Sequence, residues 1–178
     1  MSWYNYENSL YHYLPNLYHF KSGFACFDLD WTLVQPKDTK FPRTYTDNYI
    51  MPKRIEKLKE LIEKGYNIIL FSNQKLSNKE NLQFKLSRMA DIIEKFNLQG
   101  IPLLLYMAVN DDKYRKPNTG MWDYFNLYMN SKGVKVSKEY SFYCGDAAGR
   151  VNDFSDSDKE FAKNIGIKFY IPEEVFHV

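Results

Sequence analysis

Five short apolar runs, separated by stretches with helical spacing, constrain this chain more than any other feature. Phe24 to Asp28, Tyr66 to Phe71, Ile101 to Met107, Ser141 to Cys144 and Lys168 to Ile171 read as strands. Between them, Ile55, Leu58, Leu61 and Ile62 share a helical face that starts after Pro52 and stops at Gly65. Leu82, Leu86, Met89, Ile93 and Phe96 mark a longer helix, and Met121, Trp122, Phe125 and Tyr128 another. Phe161, Ala162 and Ile165 mark a last one, with Ser155 and Asp158 spaced as its cap and Gly166 closing it. Repeated β-α units of this kind imply an α/β protein with a parallel sheet and helices on both faces. At 178 residues the chain is about one domain and long enough to bury a core. Residues 1–178 are expected to form a single domain, with 1–23 an aromatic extension packed on it. Leu10, Tyr11, Tyr13, Leu14, Leu17, Tyr18 and Phe20 in that extension suit either a small antiparallel ribbon or a cover over the sheet.

The first of these strands runs into Asp28-Leu29-Asp30-Trp31-Thr32. Side chains at i and i+2 share a face of an extended chain. Two carboxylates brought together repel unless a cation or a shared proton offsets the charge. Open α/β sheets bind ligands at the carboxyl ends of their strands, which is where this pair falls. D-x-D-x-T alone arises by chance in a chain of this length on the order of a few per cent of the time. Its company gives it meaning. Ser72 and Asn73, Lys116, and Asp146 in Gly145-Asp146-Ala147-Ala148-Gly149-Arg150 also fall at or just beyond strand ends, or at a helix start. A nucleophilic carboxylate, a second carboxylate as acid/base, a hydroxyl and an ammonium for phosphate oxygens, and a distant metal ligand suffice for phosphoryl transfer. Taken singly, Ser72 reads as a turn hydroxyl and Lys116 as a solvated charge.

Composition excludes some classes. A formal net charge of +2 neither demands nor forbids a nucleic-acid partner. Two cysteines, Cys26 and Cys144, are too few for a disulfide scaffold or a structural zinc cluster, and are expected to be buried, reduced and close together beneath the site. Met1-Ser2-Trp3-Tyr4 lacks the basic start and apolar core of a signal peptide, and no apolar run approaches membrane-spanning length. The expectation is an intracellular protein, nuclear or cytoplasmic, monomeric and without membrane contact.

The four motifs together resemble those of the haloacid dehalogenase-like phosphatases. The likeness sharpens in Tyr114-Arg115-Lys116-Pro117-Asn118-Thr119-Gly120-Met121-Trp122, in Tyr143-Cys144-Gly145-Asp146-Ala147-Ala148-Gly149-Arg150, and in Asp153-Phe154-Ser155-Asp156-Ser157-Asp158. These look like the 3′-phosphatase module of the polynucleotide kinase 3′-phosphatases, as do Phe41-Pro42 and Ile171-Pro172-Glu173-Glu174-Val175-Phe176. The similarity runs over roughly residues 24 to 176. It implies a three-layer Rossmann-like fold with a parallel central sheet. It also implies roles. Asp28 would attack phosphorus and carry an aspartyl-phosphate. Asp30, supported by Thr32, would protonate the leaving 3′ oxygen and then activate water. Mg²⁺ would be held by Asp28, the backbone carbonyl of Asp30, and Asp146. Ser72 and Lys116 would bind phosphate oxygens, with Asn73 beside them on the substrate. Of the two aspartates, the nucleophile suits a low pKa and the proton donor a raised one.

Trp31 stands where this family commonly has glycine. The second acid usual four or five residues after the G-D aspartate is replaced by Arg150 and Val151. Asp153 or Asp158 could supply that metal-binding acid, Asp153 being the nearer and Asp158 also suiting a helix cap. No G-x-x-x-x-G-K-[ST] loop occurs, so the 5′-kinase half of the bifunctional family is missing from this chain. No stretch between Thr32 and Ser72 or between Ser72 and Lys116 is free for a large cap domain, and an uncapped site admits a polymer end. Arg43, Lys113, Arg115 and Arg150 lie near the motifs and suit backbone phosphates, each equally readable as a solvated surface charge. The leading expectation is a Mg²⁺-dependent phosphatase acting on DNA 3′ ends in strand-break repair. The alternatives are a sugar- or histidinol-phosphate phosphatase and a non-catalytic DNA-end-binding module.

Overall fold

A computed structural model of the chain describes residues 3–15 and 19–178, and Leu17 and Tyr18 lie outside the described residues. The chain opens with an antiparallel hairpin of β1 (Tyr4–Tyr6) and β2 (Leu10–Tyr13). Glu7 and Asn8 in its turn both have positive φ, the geometry whose twist matches paired strands. β3 (Gly23–Phe27) follows, then a two-residue ribbon of β4 (Val34–Gln35) and β5 (Tyr49–Ile50), then α1 (Arg54–Glu63). The remaining elements are β6 (Tyr66–Asn73), α2 (Leu82–Leu98), β7 (Leu104–Ala108), α3 (Gly120–Ser131), β8 (Phe142–Cys144), α4 (Ser157–Ile165), β9 (Lys168–Tyr170) and α5 (Pro172–Phe176).

The main sheet has the order β1-β2-β7-β6-β3-β8-β9. From β7 to β9 every pairing is parallel, and the N-terminal hairpin joins antiparallel to β7. Ile68, Ile69, Leu70 and Phe71 of β6 are all fully buried, as a strand covered on both faces requires. One face packs on α1, α2 and α5 through Leu58, Met89, Ile93 and Phe176. The other packs on α3 and α4 through Met121, Phe125 and Phe161. The result is three layers.

Several boundaries move from the sequence expectation. β6 continues through Ser72 and Asn73, so both are strand residues. β7 begins only at Leu104, because Pro102 has no N–H to pair. Pro172 opens α5, where its missing N–H is no loss at the first helical position. α4 starts at Ser157 with Asp156 at its N-cap, and the Ser155 hydroxyl accepts from the Ser157 N–H at 3.0 Å. Cys26 and Cys144 are both buried and free. They are not close neighbours beneath one site, however. Cys26 lies opposite Tyr143 and Phe27 opposite Cys144, a shift of one residue that sends the two thiols to opposite faces of the sheet.

Candidate active site

β3 ends at Phe27, and the Asp28 N–H donates to the Cys144 carbonyl at 2.9 Å, tying the first motif to the strand that delivers Asp146. The chain then turns over buried Leu29, whose carbonyl accepts from the N–H groups of Leu33 at 2.9 Å and Val34 at 3.2 Å. This turn presents Asp28 and Asp30 to one cavity of about 560 Å³ at the carboxyl ends of the parallel strands. Asn73, Lys116 and Asp146 also line it.

Lys116 is 3% exposed and sits among three acceptors. Its Nζ donates to Asp28 Oδ1 at 2.9 Å, to Asp158 Oδ1 at 2.8 Å and to the Tyr143 hydroxyl at 2.7 Å. An ammonium has three protons, so all are engaged. Asn73 holds the Lys116 backbone from both sides, accepting from its N–H at 2.9 Å and donating to its carbonyl at 3.1 Å. Asn73 therefore positions Lys116. The two glycines of the flanking motifs allow close approach. A Cβ on Gly120 would lie 2.4 Å from the Lys113 carbonyl oxygen, and one on Gly145 would lie 2.4 Å from the Asp158 carboxyl. Ser72 is buried and accepts from Gln74 Nε2 at 2.7 Å.

Asp30 has a different partner. Arg88, 1% exposed on α2, forms an ion pair with its carboxylate, and Gln74 Nε2 donates to Asp30 Oδ2 at 2.9 Å. Burial pushes the Asp30 carboxyl up, but Arg88, Gln74 and Lys85 together hold it below the usual range. Asp28 moves the other way. Burial and the neighbouring Asp158 and Asp146 charges raise it well above its ordinary value, against the pull of Lys116. The two aspartates thus differ, but in the sense opposite to that expected for a low-pKa nucleophile and a raised proton donor. Thr32 is also not where it was expected: its hydroxyl lies 3.5 Å from Asp28 Oδ2 and 3.4 Å from Asp146 Oδ1, not against Asp30.

Oxygens of Asp28, Asp146 and Asp158 lie within 4.8 Å of one another. Burial, offset in part by a hydrogen bond from Asp28, leaves Asp146 raised too. Three crowded carboxylates with one ammonium between them fit a hard divalent cation, which prefers oxygen donors. Of the two acids the sequence offers for this position, Asp158 is the one that joins the cluster. Its Oδ2 accepts from the Ala147 N–H at 3.0 Å, its Oδ1 from Lys116 and Tyr143, and it caps no helix. Asp153 does not join this cluster. It accepts from the Ala148 N–H at 3.1 Å and pairs with Arg150 Nε at 2.8 Å, closing the loop after the motif.

The three arginines separate. Arg115 lines the cavity, and its Nη1 is buried without a hydrogen-bond partner. Arg150 is spent on Asp153 and Glu173, and Arg43 lines a separate shallow cavity with Lys37 and Asp47. Arg88, Lys85 and Gln74 stand outside the four motifs, although Lys85 and Arg88 at i and i+3 on the buried face of α2 are a legible signal of a polar site beneath a helix.

A family model described as polynucleotide kinase 3 phosphatase matches residues 23–176. A 20.8 kDa protein of Autographa californica nuclear polyhedrosis virus is 39% identical, covering 90% of this chain and 92% of that protein. The bifunctional polynucleotide phosphatase/kinase of Schizosaccharomyces pombe is 39% identical over 86% of this chain, and a polynucleotide 3′-phosphatase of Arabidopsis thaliana 34% identical over 85%. The chain spans only 37% and 24% of those two relatives. Among solved structures, a HAD-like phosphatase from Mesorhizobium loti superposes with a TM-score of 0.70 at 18% identity, covering 90% of this chain and 78% of that one. D,D-heptose 1,7-bisphosphate phosphatase from B. bronchiseptica, complexed with magnesium and phosphate, gives 0.62 at 15%, covering 84% and 79%. These two establish the α/β fold of HAD-like phosphatases, here without a large cap.

Proposed function

Because the chain belongs to the polynucleotide kinase 3 phosphatase family, we propose that it is a Mg²⁺-dependent phosphatase that removes 3′-phosphate from DNA ends. The observation that carries this reading is Asp28 bonded to Lys116 beside Asp146, with Asp30 on separate partners in the same cavity. The setting is strand-break repair within the cell, where a 3′-hydroxyl is needed for extension or ligation.

In this reading an Asp28 carboxylate oxygen attacks phosphorus, the bond from phosphorus to O3′ breaks, and Asp30 gives O3′ a proton. Asp30 then takes a proton from water as that water attacks the aspartyl-phosphate, and the bond to Asp28 breaks to release phosphate. Arg88 keeps Asp30 ionised before substrate arrives. A phosphate dianion beside Asp30 opposes Arg88 and favours the protonated acid, so binding itself loads the proton donor. Lys116 and Arg115 offset charge on the phosphate oxygens, while Ser72 is buried on β6 and bonded to Gln74. Asp28, Asp146 and the backbone carbonyl of Asp30 would hold Mg²⁺, with Asp158 in reach. Bound there, the ion supplies Lewis-acid neutralisation of phosphoryl charge.

The deciding experiment compares phosphate release from a 3′-phosphorylated oligonucleotide and from sugar and nucleoside monophosphates, with and without Mg²⁺. Preference for the oligonucleotide, dependent on Mg²⁺, is expected. Preference for a sugar phosphate would give the small-molecule alternative, and no release from any substrate would leave an end-binding module.

A further inference from the structure

Trp31 is the exposed residue of the first motif, and the chemistry above gives it no part. Its φ is +62°, a left-handed backbone that a bulky residue adopts only at a cost and glycine adopts freely. Such strain persists where the surroundings hold it in place, and it clusters at ligand sites. The indole is 39% exposed and lines the cavity of Asp28 and Asp30. Its Nε1 donates to the Lys40 carbonyl at 3.3 Å, fastening the loop between β4 and β5 to the motif. Phe41 of that loop and Phe154 line the same cavity and are 66% and 83% exposed.

Packing gives no reason to leave three large aromatic rings at the mouth of a charged site. Lys40, Lys75 and the partnerless Nη1 of Arg115 border the same cavity. Aromatic faces beside cations are what hold single-stranded nucleic acid, with bases on the rings and phosphates on the cations. Resting on the polynucleotide reading above, we propose that Trp31 determines specificity by stacking the base of the 3′-terminal nucleotide. Phe41 and Phe154 extend the platform.

The test compares kcat/KM for single-stranded 3′-phosphorylated oligonucleotides that carry either an ordinary or an abasic terminal residue. The wild-type protein should prefer the ordinary end by about 5- to 150-fold, the range that single base–aromatic stacks give, with the change carried by KM. Trp31→Gly relieves the backbone and should bring this ratio close to one. Trp31→Phe keeps a ring without the indole N–H and should retain most of it. Circular dichroism checks that each variant folds, and anisotropy of a labelled oligonucleotide reads binding apart from turnover. Equal use of both ends by the wild-type protein overturns the inference alone, as does a folded Trp31→Gly with the wild-type ratio. Turnover of sugar phosphates with none of any oligonucleotide overturns the proposed function as well.

Discussion

Asp28, Asp146 and Asp158 crowd around the single ammonium of Lys116, and that imbalance leads to two predictions. Asp28→Asn preserves shape and the hydrogen bond from Lys116 while removing the nucleophile. Turnover should fall by at least about a thousandfold, measured as phosphate release, with an unchanged circular dichroism spectrum. Mg²⁺ added to metal-stripped protein should raise the melting temperature, by the equivalent of about 2.7 kcal/mol at a hundredfold excess over Kd. Asp146→Asn should abolish that rise. At this scale the sequence was legible where a residue stands in a motif: Asp28, Asp30, Lys116 and Asp146 share one cavity. It was not legible where a role depends on a partner distant in the chain. Asp158 reads as a capping residue until Lys116, 42 positions away, is seen bonded to it. Asp153, nearer the motif, loses its place because Arg150 claims it.

Strand ends and helix faces set the next scale. The loop after β8 and the first turn of α4 meet at Gly145, where the absence of a Cβ lets Asp158 approach the backbone. Gly145→Ala should push that carboxylate off Lys116 and lower kcat by about a hundredfold or more while the protein stays folded, a result that steady-state kinetics with a thermal melt can check. β2 carries a different device. His12 is 1% exposed, stacked between Tyr4 at 4.7 Å and Tyr106 at 4.8 Å, and burial lowers its pKa to about 4. Its unfolded pKa is near 6.5, so the unfolded chain takes up the proton first. The stability this neutral histidine contributes is present above pH 6.5 and is lost as pH falls towards 4, by about 3 kcal/mol in all. His12→Phe keeps the stack and should flatten that part of the pH–stability curve, read by denaturant titration across the window. Periodicity found the long helices and the buried strands because each repeats one pattern. It could not find the ribbon of β4 and β5, which has two residues in each strand and so no period to read.

For the whole molecule, β-α alternation implied the parallel sheet, but not which edge the aromatic N-terminus would meet. The answer lies in pairing. β2 covers β7, whose five residues are all buried, and so closes an edge that would otherwise attract other chains. The hairpin also braces the segment that leads into Lys116. Glu7 accepts from the Tyr114 hydroxyl at 2.9 Å and pairs with Lys113 at 3.2 Å, while Ser9 bonds to Asp112. Removing residues 1–13 should therefore cause self-association in light scattering. Glu7→Ala, which leaves the edge covered, should lower kcat severalfold without it.

The hairpin turn thus works as a splint for the segment that carries Lys116. A purification handle fused ahead of β1 is consequently not inert. It is expected to load the same splint, and comparing turnover before and after the handle is cleaved checks this.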